Sequence, residues 1–354
     1  MPRRATRLGW AVAVVLAAGL VARPAVARAQ SEPAATPTPG EPPRDVLPPV
    51  RRGPLEVREE FLLAQPRLTL PSLSPDPLPA GQTRAAIGID WGSDFGLRGS
   101  EPVLDHFVDG EHRTLALDVR RGITPRFSAG VRVPLHWRGP GVLDGLIDAW
   151  HGVTGLPDND RGLYPRNQFR IEGRGADGPK LVIPDETGTG LGNLELMGLW
   201  AVRPRARGLA LSLAARAELP TGTGPFDGAG SGFGLQVLAA HPLGRTVDVY
   251  AGVGGTLSTQ LGASELEYSR ARAHGFATLE WRAARVLSLL IETSLASRLV
   301  ENIAGYPGRQ MYFRMGAKLD LGARWRLEGG FVEGLSSIQT TTDFGVQATL
   351  AGRF

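Results

Sequence analysis

The sequence predicts an all-β fold: one closed antiparallel transmembrane β-barrel of about 12 strands, spanning residues 81–354, with a short helix in a long outer loop. Three observations predict it. From Thr83 onward apolar residues recur at every second position over stretches of roughly ten residues, which turns one face of each strand to lipid and the other to a polar lumen. The connections between these stretches alternate long and short. The 354 residues include no cysteine, so stability outside the cytoplasm must come from something other than disulfides, and barrel closure supplies it by pairing every strand on both sides.

Residues 1–29 have the order of a secretory signal. Arg3, Arg4 and Arg7 are followed by an apolar run from Leu8 to Val21 and then by the small residues of Ala25-Val26-Ala27-Arg28-Ala29, with cleavage expected after Ala29. The alternative is a retained membrane anchor, but a spanning helix needs roughly 20 apolar residues and this run is shorter. No cysteine follows the site, which argues against a lipoprotein. The signal also explains the basic charge balance. It holds five of the 39 Lys and Arg residues and no acid, so removing it leaves 34 basic residues against 35 acidic ones. A near-neutral mature chain gives no reason to expect nucleic acid as a partner.

Residues 30–80 are read as a Pro-rich periplasmic leader. Residues 30–52 are dominated by Pro, Ala, Thr and Glu and read as polyproline-like. Residues 53–80 carry more apolar side chains and six prolines, and are expected to be irregular, folded back against the barrel or into its mouth.

The strands follow in order. The first is placed near Thr83–Trp91, with Ala85, Ile87, Ile89 and Trp91 outward, and the second near Thr114–Arg121. The third is the clearest: Phe127, Ala129, Val131, Val133, Leu135 and Trp137 alternate with Ser128, Gly130, Arg132, Pro134, His136 and Arg138. Nine more begin near Leu194, Leu209, Phe233, Val247, Ala273, Leu287, Met311, Trp325 and Phe344. Short connections such as RPRARG, HPLGRT, RAAR and LGAR read as periplasmic turns. SDFGLRGSEPVLDHFVDGEHR, the stretch from about 139 to 190, and PTGTGPFDGAGSG read as outer loops. Trp91, Trp137, Trp200, Trp281 and Trp325 fall near strand ends, where an aromatic girdle meets the lipid headgroups. The last strand ends on Phe354, a terminal aromatic of the kind recognised by the barrel-assembly machinery, which with outer-membrane lipid is an expected partner.

The inward set is charged. Arg84, Asp90, Asp118, Arg120, Arg132, His136, Glu195, Arg216, Glu218, Asp248, Glu292, Arg314, Lys318, Glu328 and Arg353 are expected to line the lumen. Such a lining can select solutes in an open pore, or it can form a salt-bridged interior that nearly fills the barrel. Within 139–190, Leu143, Leu146, Ile147 and Trp150 share the i, i+3, i+4, i+7 spacing of an amphipathic helix. These four are expected to pack into the barrel mouth as a gate, since a long loop with its own helix is rarely mere packing. Asp144, Asp148 and His151 lie on another side of that helix, with Asp158 and Asp160 beyond. They raise the idea of a metal site, although acids at this spacing usually form a solvated helix face, and no metal or cofactor is assigned. No catalytic residue is assigned either. His106, His112, His136, His151, His241 and His274 stand in no nucleophile motif, G-x-S-x-G is absent, and the glycine-rich Gly228–Gly232 lacks the Lys-Ser/Thr of a phosphate cradle.

The stretch from Val108 to Ile171 resembles an uncharacterised family of proteobacterial outer-membrane proteins, domain of unknown function 3187. The likeness lies in the D-G-E before the second strand, the R-x-G-I turn, the L-D-x-x-I-D-x-W-H helix and the G-L-P-x-x-x-R loop. Gly53-Pro54-Leu55 with Val57-Arg58 is similar as well. Where the family continues with Asn-Gln, this chain has Glu59 and Glu60. The resemblance implies an outer-membrane barrel and carries no substrate with it. The expected function is a channel or transporter for small solutes, hydrophobic ones included, gated by the helical loop. The alternative is a structural or surface-interaction barrel with a closed lumen.

Overall fold

The computed structural model describes residues 50–354, except 57, 59–60, 101–102, 156–160, 176–179, 183–186, 206–207, 260–265, 307 and 335–339. The signal, the first part of the leader, and Asp158 and Asp160 lie outside the described residues.

Twelve long antiparallel strands close on themselves: β1 (Thr83–Ser100), β2 (Val103–Thr124), β3 (Phe127–Gly139), β7 (Leu194–Arg203), β8 (Ala210–Leu219), β9 (Gly232–Pro242), β10 (Val247–Ser258), β11 (Ala271–Trp281), β12 (Leu287–Ser297), β13 (Arg309–Leu321), β14 (Trp325–Gly334) and β15 (Phe344–Arg353). Each pairs with its sequence neighbours, and β1 pairs with β15 from Arg84↔Arg353 to Ser93↔Phe344, which removes the last free edge. Three short strands, β4 (Arg170–Arg174), β5 (Lys180–Val182) and β6 (Gly188–Leu191), and one helix, α1 (Asp144–Thr154), come from the long second outer loop. There β6 pairs with the outer half of β3 where β7 has not yet begun, and β4 pairs with β2 at His106–Asp109.

Alternation of side chains fixes the wall. Ile87, Ile89, Leu115, Leu117, Val133 and Leu135 stand exposed on the outer face, while Arg84, Thr114, Asp118 and His136 on the same strands are buried inside. An apolar outer wall around a paired, edgeless sheet places the protein in the outer membrane. Trp200, Trp281 and Trp325 sit at the periplasmic strand ends, and Trp325 meets Phe354 edge-on at 5.8 Å. At the outer rim, Trp91 and Trp137 hold the Arg113 guanidinium between them, 4.3 Å from each ring.

The first two strands depart from the sequence expectation. They run 18 and 22 residues, and the presumed loop SDFGLRGSEPVLDHFVDGEHR is the continuation of their hairpin, joined in register from Ser93↔Glu111 to Ser100↔Val103 with one irregularity at Arg98. Eighteen residues at about 3.3 Å each and a tilt near 40° rise roughly 45 Å, well beyond a lipid band of about 25 Å. The projecting part has no lipid on one side and no open lumen on the other. Residues 93–96 and 106–112 are buried on both faces by other chain segments, so the polar-apolar alternation fades there although the strands do not end.

The described part of residues 50–80 enters the barrel: of the two placements expected for residues 53–80, against the barrel or into its mouth, it takes the second and goes on through the lumen. Arg51 and Arg52 are at the periplasmic ends of β10, β11 and β13, where they meet Asp248, Glu280 and Asp320. The segment rises to a 3-10 turn at Leu62–Ala64 among residues of the outer end, then descends past Ser72 to Asp76, which meets Arg205 back at the periplasmic side. It leaves the lumen beside Gly122, where a β-carbon would come within 2.0 Å of the Pro79 carbonyl oxygen, so only glycine admits the crossing.

Candidate functional site

The lumen wall supplies charge in layers, and the inner segment answers each layer. At the periplasmic end the Arg52 guanidinium donates to Asp320 at 2.8 Å, to Ser288 Oγ at 2.9 Å and to the Arg285 carbonyl at 2.6 Å. The backbone N–H groups of Arg52 and Gly53 donate to the two oxygens of Glu280, at 3.0 and 3.1 Å. Asp248 accepts from Arg51 at 2.9 Å and Arg205 at 3.1 Å and pairs with Arg282. One step up, Glu56 of the segment sits 2.8 Å from Arg120 and 3.6 Å from Arg84, and these guanidiniums also pair with Asp118 and Glu328. Lys318 bridges Glu328, at 2.9 Å, and the Arg52 carbonyl, at 3.2 Å. Arg353 lies in register with Arg84 at the seam.

Midway, Arg58 of the segment pairs with Glu195, which also takes Arg216 at 3.1 Å, with Arg132 at 3.9 Å. Arg132 reaches Asp90 at 4.0 Å, and Arg314 donates to the Arg58 carbonyl at 2.6 Å while lying 3.7 Å from Glu292. Ser72 on the descending limb donates to Glu292 at 2.6 Å. Higher still, the Leu62 N–H donates to Asp94 at 2.7 Å, and Asp94 also holds His112 at 2.9 Å. His136 bonds Thr114 at 2.9 Å, and Glu218 is buried in the wall nearby, close to Gly232 and Leu68. The top is apolar: Phe61, Leu62 and Leu63 pack against Val108, Leu299, Val300 and Ile303. What remains open beside Arg58, Asp90, His112 and Glu195 is a cavity of about 40 Å³, room for little more than a water molecule or two.

All fifteen lumen residues read from the sequence therefore face inward, and most are joined into ion pairs. The sequence reading missed their partners. Arg51, Arg52, Glu56, Arg58 and Ser72 sit in a segment with no strand periodicity. The only signal was the cluster of charges among the prolines near residue 52.

The helix is placed elsewhere than expected. Leu143, Ile147 and Trp150 pack on Trp91, Phe331 and Phe344. Those three share strand parity with the exposed Ile87, Ile89, Leu327 and Val346, so α1 lies on the outer wall and not in the mouth. Trp150 stands 5.7 Å from Phe331 and 5.8 Å from Phe344. Leu146, assigned to the packing face, is 54% exposed on the opposite side with Val153. The reason is in the strands: the outward positions at this rim are aromatic and the projecting hairpin needs cover, whereas the mouth is already filled by residues 61–64. Gly155, at φ 70°, caps the helix by donating to the His151 carbonyl at 2.8 Å.

The loop is held by a polar cluster on the same outer face. Glu111 accepts from the Trp91 indole at 2.7 Å and from the backbone N–H groups of Val142 and Leu143, at the start of α1. Arg161 pairs with Asp144, reaches Asp343 at 2.7 Å and Ser93 at 2.7 Å, and lies over the Phe95 ring. Burial would lower the Arg161 guanidinium, but Asp343 and Asp144 outweigh it and hold the group above its ordinary value, so it stays charged. Asp148 pairs with Arg166 toward solvent. The trio Asp144, Asp148 and His151 is thus not brought together.

A family model described as protein of unknown function, DUF3187, matches residues 45–354. The chain belongs to this family. The match takes in the inner segment as well as the barrel, so both are part of what the family model describes. A search of curated proteins finds no match. Among solved structures, an outer membrane channel from Pseudomonas putida F1 is similar with a TM-score of 0.53 at 14% identity, covering 79% of this chain and 97% of that one. The NanC porin scores 0.42 at 7% identity, covering 77% and 98%. The Pseudomonas putida toluene transporter TodX scores 0.35 at 13% identity, covering 78% and 89%. The first of these supports the barrel fold.

Proposed function

We propose that this family member is an outer-membrane channel for small solutes, closed here by residues 50–80 of its own chain. One observation carries the reading: a charged inner wall is complemented by a segment that holds it through side chains and single backbone groups, and that forms no strand pairing with the wall among the described residues. Strand pairing would make the segment a permanent part of the sheet. Ion pairs and hydrogen bonds can be exchanged for water and solute as the segment withdraws toward the periplasm, where both of its ends lie. The gate is then the inner segment and not the helical loop. The printed names of the solved structures above, a channel, a porin and a transporter, agree in kind. Phe354, exposed at the periplasmic rim, is the residue we assign to the assembly machinery.

A second reading, a closed structural barrel, is favoured by the small size of the remaining cavity. Planar bilayers separate the two. Full-length protein is expected to conduct rarely and briefly, and a variant lacking residues 50–78 to show a resolved, long-lived conductance step. A correctly folded deletion variant that stays silent leaves the structural reading.

A further inference from the structure

The outer-face cluster beneath α1 contains a group that the loop packing does not use. His151 is 5% exposed, and neither ring nitrogen has a hydrogen-bond partner. Its Nε2 is 3.9 Å from Glu333 Oε1, and Glu333 Oε2 is likewise buried without a partner. Asp343 completes the group: one ligand atom from each of His151, Glu333 and Asp343 lies within 4.8 Å of the others. The three come from separate parts of the chain, the helix, the outer end of β14 and the residue before β15. Asp343 accepts from Arg161 at Oδ2, which leaves Oδ1 for another partner.

Charge points the same way. The patch between the loop and the wall carries five carboxylates, Asp109, Glu111, Asp144, Glu333 and Asp343, against two guanidiniums, Arg113 and Arg161, with Arg170 already paired to Glu172. Five against two leaves a formal surplus of three negative charges in a covered site, where unpaired charge is costly. A tetrahedral ion with ligands near 2.1 Å sets them roughly 3.4 Å apart, so side-chain rotations of about 1 Å would close the group.

We propose that His151, Glu333 and Asp343 bind a divalent transition-metal ion that clasps α1 to the outer wall of the barrel. One imidazole with two carboxylates suits zinc better than calcium or magnesium, which prefer all-oxygen sites, and a water would fill the fourth position. The clasp is independent of the channel reading, since it stands on the opposite face of the wall from the lumen.

The test uses full-length protein in detergent, stripped with a chelator and titrated calorimetrically with Zn²⁺, with Ca²⁺ as comparator. One Zn²⁺ per chain is expected, bound far more tightly than Ca²⁺. His151→Ala and Glu333→Gln should each weaken it by more than about a hundredfold, beyond the roughly ten- to hundredfold that loss of a supporting hydrogen bond costs. Asp148→Asn, which alters the trio suggested by sequence spacing, should leave binding unchanged. Zn²⁺ should also slow amide exchange across residues 144–154. Heat-modifiable gel mobility checks that each variant is folded. Should a variant fail that check, the visible spectrum of Co²⁺ bound to wild-type protein decides, because imidazole-carboxylate ligation gives intense tetrahedral bands. No saturable Zn²⁺ binding overturns the proposal, as does binding that survives both substitutions. So does a helix made firmer by acid alone and indifferent to Zn²⁺, which would mark a protonated His151–Glu333 ion pair.

Discussion

The described residues of 50–80 and those of 140–169 both leave the barrel's strand ladder, and both segments lie against β1 and β2. One covers the inner face and the other the outer, and each is gripped by what that face offers. Inside, Arg52, Glu56, Arg58 and Ser72 are taken by Asp320, Arg120, Glu195 and Glu292. Outside, Leu143 and Ile147 are taken by Trp91, Phe331 and Phe344, with Glu111 and Arg161 closing the ends. Neighbouring positions on one strand make the contrast. A β-carbon at Gly92 would run into His112 and Thr342 inside, while Trp91 beside it meets the helix outside. A segment that covers a barrel wall takes the chemistry of the face it covers, so a polar, Pro-broken stretch suits the lumen and an amphipathic helix the rim.

Breaking the inner grip should have the largest effect. Arg52→Ala removes three hydrogen bonds of a buried guanidinium, to Asp320, Ser288 and the Arg285 carbonyl, while Asp320 keeps Arg326; at about 1.5–3 kcal/mol for a hydrogen bond to a charged group the loss should be about 3–5 kcal/mol. The segment should become protease-sensitive, and conductance should appear with the outer helix undisturbed in amide exchange. If the lumen stays closed and the segment protected, the ion pairs are not what holds it. The outer grip is next. Ile147→Ala removes a fully buried side chain and should cost the helix about 2–4 kcal/mol. Faster amide exchange over residues 144–154 with unchanged conductance would place α1 outside the gate; a rise in conductance would return it there. The smallest effect is expected at the periplasmic rim, where Trp325 and Phe354 pack on each other on the exposed outer face. Trp325→Ala should lose about 0.5–1.5 kcal/mol of aromatic pairing in urea unfolding, with neither the segment nor the helix affected.

Much of the barrel was legible because two solvents read the chain at once. Lipid and a polar interior impose a period of two that no soluble environment keeps up through twelve strands, and so the strand number and the inward set from Arg84 to Arg353 could be read directly. The reading failed where that double constraint stops. Ser93–Arg113 looks like a loop in sequence because residues 93–96 and 106–112 are buried on both faces, and Phe95 and Phe107 answer to Arg161 and Tyr164, far away in sequence. Leu146 fitted a helical spacing but faces away from the wall, since spacing defines a stripe without saying which edge of it will be covered.

Local period and composition were enough for the class of fold, the closure, the direction of the strand side chains within the lipid band and the helix in the second outer loop. Long-range packing alone threads the described part of residues 50–80 through the lumen, sets α1 outside it, and brings His151 to Glu333 and Asp343 instead of Asp144 and Asp148. These are pairings between residues far apart in sequence, Arg58 with Glu195 at 137 positions and Arg52 with Asp320 at 268. Such pairings depend on which faces remain uncovered once the barrel has closed, and no local pattern records that.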